Sequence, residues 1–385
     1  MSITLRPMRP RDTDESHRAS TELELFFDLI IVIGIASLTA AFHHAISAGH
    51  GLQMLPNFVF LFLALWWAWM NFTWFASAFD NDDPLYRLLV LIIMAGALIF
   101  AGGIGFIFET LDFSFGIFGW ILMRMGMIAL WLRAAGHAPE LRNTCYRYAI
   151  GITVAQMLWA LLAFLVTPGS PSFFAFGIGA FLVEWLVPVW AERAGRTPWH
   201  PRHMLERYGL LTIIVLGEVL LSIAMTFGAI FTGGADADLI KIGLASLVVV
   251  FAFWWIYFGE RHDQSIQGFG RVFVWGYGHV VIFGSIAVMG AGLAAYFDLH
   301  TDHSDATATQ VIWFIGAPLA LAVTALWAVR DRHLTLGLRA AALPAAALAI
   351  LCATAIQAEP YVYAGLLLAA LLWRVPLSSP EGPHP

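Results

Sequence analysis

Long apolar stretches recur along the whole chain, and short polar segments separate them. Most stretches have roughly 18–24 residues, which is the length that an α-helix needs to cross the hydrocarbon layer of a membrane. About twelve transmembrane helices are predicted in this way, near residues 25–46, 54–77, 86–108, 113–133, 146–167, 171–191, 206–229, 238–258, 272–297, 308–329, 337–356 and 360–375. The pattern therefore predicts an all-α polytopic membrane protein.

Composition strengthens this prediction, because 60% of the 385 residues are apolar, only 12% are charged, and the mean hydropathy is +0.76. Such values exclude an ordinary soluble domain. We expect a mobile cytoplasmic arm over residues 1–20, a first six-helix half over 21–192, a second half over 200–376 and a mobile tail over 377–385. No cleavable signal peptide is expected, since the first apolar stretch is too long and carries an acid.

The positions of the basic residues predict the topology. Of the 20 Lys and Arg residues, all except Arg124 and Lys241 precede the first predicted helix or follow an even-numbered one. Basic residues concentrate in the cytoplasmic loops of membrane proteins. With twelve helices, both termini are therefore predicted on the cytoplasmic side.

Several short sequences return 183–189 residues later. The segment 29–34 returns as 212–217, and 66–69 returns as 254–257. The pairs Phe108-Glu109 and Phe297-Asp298, and the segments 185–188 and 373–376, follow the same rule. A parallel repeat of six plus six helices is the interpretation. Secondary transporters with such repeats bind their substrate between the halves, near the middle of the membrane.

Glu218 lies near the middle of the seventh predicted helix, where a carboxylate costs about 2.5–3.5 kcal/mol on insertion scales. His203, Arg207 and Ser222 fall near the same helical stripe, because the spacings are multiples of about one turn. Two interpretations stay open for His203 and Arg207. They either line a polar path from the cytoplasm or anchor the helix at the membrane surface.

Three further charges lie inside predicted helices: Asp28, Arg124 and Glu184. Arg124 needs a carboxylate partner, and we predict Glu218 as the first choice and Glu184 as the second. Asp28 lies one turn beyond Glu24, which itself completes a capping-box pattern with Thr21. We add the buried polar residues His279 and Asn71 to the candidate site.

A group of acidic residues precedes the third predicted helix, with Asp80, Asp82 and Asp83 followed by Pro84. A metal site is one interpretation. The other is a helix start, in which Asp83 caps the helix and Pro84 takes its first position. Arg87, one turn further, is a candidate ion-pair partner for these acids.

At these residues the chain resembles the bacterial low temperature requirement A (LtrA) family. The matching sequences are Glu24-Leu-Phe-Phe-Asp28-Leu, Asp82-Asp83 with Arg87, and Glu206-Arg207-Tyr-Gly-Leu together with Ile-Val-Leu-Gly217-Glu218. Arg124 and His279 also match the family pattern. The resemblance implies a multi-pass protein of the bacterial cytoplasmic membrane and leaves its activity open.

The buried charges favour a proton- or cation-coupled transporter of a small polar or amphipathic solute. The alternatives are a membrane-embedded enzyme acting on a lipid or isoprenoid, and a cofactor-binding membrane protein with His279 as an axial ligand. We expect no cofactor and no metal. Membrane lipids and a small-molecule or ionic substrate are the expected partners, nucleic acid is not, and a homo-oligomer stays open.

Overall fold

The computed structural model of the chain describes residues 5–12, 18–79, 81–233, 237–260 and 269–375. Within these ranges the regular structure is helical, with no strand. The twelve α-helices are α1 (Glu22–Ser47), α2 (Gly51–Phe79), α3 (Pro84–Thr110), α4 (Ser114–His137), α5 (Arg142–Leu165), α6 (Pro171–Ala191), α7 (Pro201–Gly233), α8 (Ala237–Phe258), α9 (Phe269–His300), α10 (Ala308–Val329), α11 (Ala342–Ala355) and α12 (Pro360–Arg374). Three short 3₁₀ helices accompany them, at Pro139–Leu141, Asp331–His333 and Gly337–Ala341.

Eleven of the helical segments in the described ranges are long and apolar enough to cross a membrane. By this measure eleven of the twelve predicted crossings are supported, and the twelfth helix, α12, falls short. Helix α12 has 15 residues, which at 1.5 Å per residue span about 22 Å, less than the hydrocarbon thickness of about 30 Å. The chain is a multi-pass membrane protein.

The predicted helix starts at α1 and α3 are confirmed. The backbone N–H of Thr21 donates to Glu24 Oε2 at 2.8 Å, and the Thr21 hydroxyl accepts from Glu24 N at 3.4 Å, which completes the capping box of α1. Asp83 is the N-cap of α3, where its carboxylate accepts from Tyr86 N at 2.8 Å, and Pro84 follows it. Both acids thus satisfy amide groups that a helix start leaves open.

The helices form two compact units, and we describe each by itself. Unit 1 comprises Met1–Phe42 and Leu52–Leu211. In it α3 packs on α4, α4 on α5 and α5 on α6. Helices α3 and α4 come close at Gly96 and Gly119, where a Cβ on either would lie 2.6–2.7 Å from the other's carbonyl oxygen. Small residues of this kind allow membrane helices to pack backbone to backbone.

Unit 2 comprises His43–Gly51 and Thr212–Pro385. Helix α9 packs on α10, α10 on α11, α11 on α12 and α12 on α8. The close approach of α9 to α10 again uses a glycine, since a Cβ on Gly292 would lie 2.6 Å from the Phe314 carbonyl oxygen. The division between the units falls inside α7, later than the boundary at residues 192–200 that the sequence suggests.

The described parts of the N-terminal arm pack onto unit 1. Met8 is fully buried, and Arg11 N donates to the Ala78 carbonyl at 2.9 Å. Arg6 N donates to Asp83 Oδ2 at 2.9 Å, and the Arg18 side chain is buried. The expectation of mobility therefore does not describe residues 5–12 and 18–20, while the predicted tail at 377–385 lies outside the described residues.

Candidate functional site

Asp28 is the deepest acid of a charged cluster inside unit 1. Its Oδ1 accepts two hydrogen bonds, one from Trp69 Nε1 at 2.7 Å and one from Arg207 Nη2 at 2.6 Å. Arg207 also lies 3.3 Å from the Thr73 hydroxyl. Both charged groups are buried, with Asp28 1% and Arg207 0% exposed. Helices α1, α2 and α7 each supply one of the three main side chains.

A second layer of this cluster lies one turn nearer the start of α1. Glu24 Oε1 is 3.1 Å from His203 Nε2, 3.3 Å from Arg18 Nη2 and 3.8 Å from Arg207 Nη1. Arg18 Nη1 lies 3.3 Å from His203 Nδ1. Because the guanidinium can only donate, His203 Nδ1 accepts and Nε2 carries the proton donated to Glu24. We call Arg18, Glu24, Asp28, His203 and Arg207 the proton cluster.

The proton cluster is electrically balanced but incompletely hydrogen-bonded. Two guanidinium groups face two carboxylates, and His203 is neutral in this arrangement. Asp28 Oδ2 and Arg207 Nε are buried and make no hydrogen bond with any described residue. A buried polar atom without a partner is costly, so native proteins place water, an ion or function there. The cluster can therefore accept a further proton or a polar ligand.

Arg124 forms a second buried ion pair, with Glu184 of α6. Arg124 Nη2 donates to Glu184 Oε2 at 2.6 Å, Trp67 Nε1 donates to the same oxygen at 2.8 Å, and Gln156 Nε2 donates to Oε1 at 2.9 Å. The first-choice prediction of Glu218 as the partner is wrong, and the second choice is confirmed. Arg124 and Glu218 have the same predicted depth in the membrane, but depth alone does not determine which neighbouring helix the Arg124 side chain faces.

The sequence comparisons agree with this architecture. The family model of the bacterial low temperature requirement A protein matches residues 19–375, nearly the whole chain. The chain belongs to the LtrA family. A relative in Rhizobium meliloti (strain 1021), described as uncharacterized protein RA0937, is 25% identical over 344 residues, which cover 84% of this chain and 80% of the relative. No solved structure matches the chain.

In this LtrA chain Glu218 belongs to unit 2, whereas the residues just described belong to unit 1. Its side chain is half-buried, and no described cation of its own unit pairs with it. A Cβ on the neighbouring Gly217 would meet no described atom within 4 Å. His203 and Arg207 on the same helix are both fully buried, so they are not surface anchors.

His279 and Asn71 take neutral hydrogen bonds. His279 Nδ1 lies 2.7 Å from the Trp275 carbonyl oxygen, and Nε2 lies 3.1 Å from the Tyr257 hydroxyl. Both ring nitrogens are engaged, which leaves none for the axial position of a haem. Asn71 Nδ2 donates to the Trp67 carbonyl at 2.8 Å, within its own helix. His279 belongs to unit 2 and Asn71 to unit 1.

The acidic loop before α3 is held by ion pairs. Asp82 receives two hydrogen bonds from Arg87, both at 2.7 Å, and these lower the pKa of Asp82. Burial alone would raise the pKa of Asp83, but hydrogen bonds from Arg133 and from two backbone amides outweigh it and lower the pKa. The described acids of this loop therefore cap a helix or pair with arginine, as the helix-start interpretation predicts. Asp80 lies outside the described residues.

Metal ligation finds no other support in the described ranges, where no group of three or more His, Cys, Asp or Glu side chains is placed to hold an ion. The proton cluster itself offers two carboxylates, but each already faces a guanidinium group. A resident cation there would compete with Arg18 and Arg207.

Sequence reasoning missed several members of the site. Arg18 was assigned to the arm, although an Arg three residues before a capping box is well placed to reach the helix start. Trp67 and Trp69 entered the sequence analysis only as part of the repeated segment 66–69, yet each donates its indole N–H to a buried acid. A Trp-rich segment in a helix whose neighbours carry buried acids is a usable signal. Gln156, the one amide of α5 near Glu184, gave a weaker one.

Proposed function

We propose that the chain is a proton-coupled transporter in which the proton cluster takes up and releases the coupling proton. The solute that we propose is small and polar or amphipathic, because such a molecule suits a charged interior. The single observation that carries the proposal is Asp28, a buried carboxylate inside a membrane-spanning helix with one oxygen bonded twice and the other not bonded to any described residue.

The argument from Asp28 is energetic. Ionisable side chains inside spanning helices are expensive and mark ion or proton pathways unless a structural need accounts for them. Arg207 neutralises the charge of Asp28 but uses a single nitrogen for it, and Oδ2 stays available for a proton.

His203 supplies a second proton site in contact with the first. Protonating His203 at Nδ1 would place a donor against the donor of Arg18, which lies 3.3 Å away. Arg18 must then withdraw, and Glu24 loses one of its cations and gains another. Since Arg207 lies near both acids, a proton at His203 alters the balance at Asp28. This linkage supports coupling between protonation and movement.

The test is a pH jump on proteoliposomes adsorbed to a solid-supported membrane, with the transient current as the readout. The native chain is expected to give a proton-dependent current. Asp28→Asn keeps the size and an acceptor oxygen for Trp69 and Arg207 but cannot take up a proton, and we expect it to abolish the current while the protein still folds.

Two matched variants sharpen this test. Asp82→Asn makes the same chemical change in the loop before α3 and should leave the current intact. Glu218→Gln removes the half-buried carboxylate of unit 2 and should also leave it. A normal current in Asp28→Asn would refute the assignment of Asp28. If only Glu218→Gln loses the current, the proton site is Glu218 instead.

The proposal includes a location and a topology. We place the protein in the bacterial cytoplasmic membrane with both termini in the cytoplasm, because the basic residues fall on one side of the predicted helices. This topology requires that the short helix α12 also crosses the membrane. Single cysteines at Ser170 and Thr301 should then react with an impermeant reagent added outside intact cells. Labelling of either position only after the cells are opened would overturn this topology.

A further inference from the structure

The Arg124–Glu184 pair lies in a setting that has many unused hydrogen-bond donors. Arg124 is 1% exposed, and its Nε and Nη1 bond to no described residue. The indole nitrogens of Trp120 and Trp159 are buried and likewise without a partner in the described ranges. Gln156 Oε1 is the single unused acceptor beside them. A ligand that suits this set must bring acceptor oxygens, as a carboxylate does.

These side chains are arranged around one another within unit 1. The Arg124 Cζ lies 5.3 Å from the centre of the Trp120 ring, and the rings of Trp120 and Trp159 lie 6.3 Å apart. Gln156, one turn from Trp159 on α5, bonds Glu184, which bonds Arg124. The unused donors therefore belong to neighbouring side chains on α4 and α5.

Two members of this group, Trp120 and Trp159, line an apolar cavity of about 30 Å³. Aromatic side chains form most of its wall, namely Phe60, Phe100, Phe113, Trp120, Trp159 and Phe181. The two ion-paired residues and their hydrogen-bond partners each lie three or four positions from a wall residue of the same helix. These residues are Trp67, Arg124, Gln156 and Glu184. A cavity with so apolar a wall offers water too few partners, but it accepts a short hydrocarbon group.

We propose that Arg124, Trp120, Trp159 and Gln156 form a binding site for a small monocarboxylate whose short apolar body lies in this cavity. The ligand's carboxylate takes the place of Glu184 as the partner of Arg124. This inference names a substrate class for the proposed transporter and rests on that function for its purpose, although binding itself does not require transport.

Charge balance fixes a further property of the site. Arg124 and Glu184 neutralise each other, so a bound carboxylate would leave one uncompensated negative charge in a buried place, which is costly. A proton on Glu184 removes that charge. Among the described residues that contact Glu184, α2 contributes Trp67, α4 contributes Arg124 and α5 contributes Gln156, so Arg124 is the only charged group facing it. One proton should therefore bind with each carboxylate.

The experiment is calorimetric titration of the purified chain in lipid nanodiscs with propionate, and with propionamide as the uncharged probe of the same shape. Propionate should bind about tenfold more weakly for each pH unit above neutrality, as uptake of one proton requires. Titrations in two buffers of different ionisation heat should report that proton directly. Propionamide should bind at least tenfold more weakly than propionate at pH 6.

Glu184→Gln imitates the protonated acid, so it should bind propionate at least tenfold more tightly than the native chain at pH 7.5 and take up no proton. Arg147→Gln, which removes another guanidinium that lies 5.3 Å from a Trp ring, should change nothing. The inference is overturned if the native chain binds propionate without proton uptake, or binds propionamide as well as propionate. Asp28→Asn should retain propionate binding, so this site and the proton cluster fail or succeed separately.

Discussion

The second helix of each unit ends in the same way. In unit 1, Arg18 donates to the carbonyl oxygens of Ala76 and Ser77 near the end of α2, at 2.9 Å each. In unit 2, Arg330 donates to the carbonyl oxygens of Ile256 and Tyr257 near the end of α8, at 2.9 and 2.6 Å. A cation at a helix C-terminus satisfies open carbonyl groups and suits the helix dipole. The first role of both arginines is therefore structural, because each one stabilises the end of a helix.

The units differ one layer deeper. Trp69 of α2 donates to Asp28, whereas Tyr257, the residue that aligns with Trp69 in the proposed repeat, contacts His279 and Thr212. Unit 1 thus carries an acid and an arginine where unit 2 carries neutral polar groups. Under the proposed repeat, a requirement of the scaffold would act on both units alike. We therefore expect the Asp28–Arg207 pair to serve a purpose other than holding the helices together.

The charges of unit 2 support the same distinction. Asp331 accepts from Arg330 at 2.7 Å and from Arg374, and Arg374 lies 3.6 Å from Glu260. These residues, Glu260, Arg330, Asp331 and Arg374, all lie at or near helix ends, where open backbone groups also help to stabilise charges. Arg124 and Glu184 lie in helix interiors and rely on side chains alone.

The largest effect is expected from breaking the interior pair of unit 1. Arg124→Ala leaves Glu184 buried and unpaired, which costs roughly 3–5 kcal/mol of unfolding free energy. Denaturant titration of the protein in mixed micelles measures this loss. Adding Glu184→Gln should restore a large part of it, because the stranded charge is then gone.

The control for this cycle is Arg124→Ala with Glu218→Gln, which should show simple additivity since the two residues share no described contact. Coupling between Arg124 and Glu218, or its absence between Arg124 and Glu184, would contradict the assigned pair. The Arg124–Glu184 pair could then no longer serve as the example of an ion pair in a helix interior.

The sequence predicts where a residue lies along its helix better than which neighbouring helix its side chain faces. Hydropathy and charge position along each helix identified the helices and the buried charges Asp28, Arg124 and Glu184. They give depth but not direction around the helix axis, and so Glu218 was preferred to Glu184. Partners such as Trp69 were missed because an indole N–H needs a specific neighbour, which only tertiary packing supplies.

The next effect comes from the two helix-end arginines. Arg18→Gln and Arg330→Gln each remove charged hydrogen bonds to two carbonyl groups, so each should cost about 1.5–3 kcal/mol. The same micelle titration measures both. Equal losses would sharpen the comparison by showing one structural role in the two units.

Transport should separate these two variants. Arg18 also contacts His203 and Glu24, so Arg18→Gln should alter the pH dependence of the proton-driven current. Arg330→Gln should lower only the amount of folded protein. If Arg330→Gln changes the pH dependence of the current and Arg18→Gln does not, the proton-linked site belongs to unit 2 rather than unit 1.

The smallest effect concerns Asp83, a charge of unit 1 that we interpret as structural. It caps α3 and pairs with Arg133, and its lowered pKa means that the folded state holds the ionised form. Its contribution to stability is therefore complete above the ordinary carboxyl pKa of about 4 and is lost as the pH falls below that value. Asp83→Ala should cost about 1–2 kcal/mol at pH 7, as lost helix caps do, and the gap to the native chain should shrink when unfolding is measured toward pH 3. The proton-driven current per folded molecule should stay unchanged. A gap that widens with acid would mean that burial dominates at Asp83, and a lost current would place this loop with Asp28 rather than with Arg330.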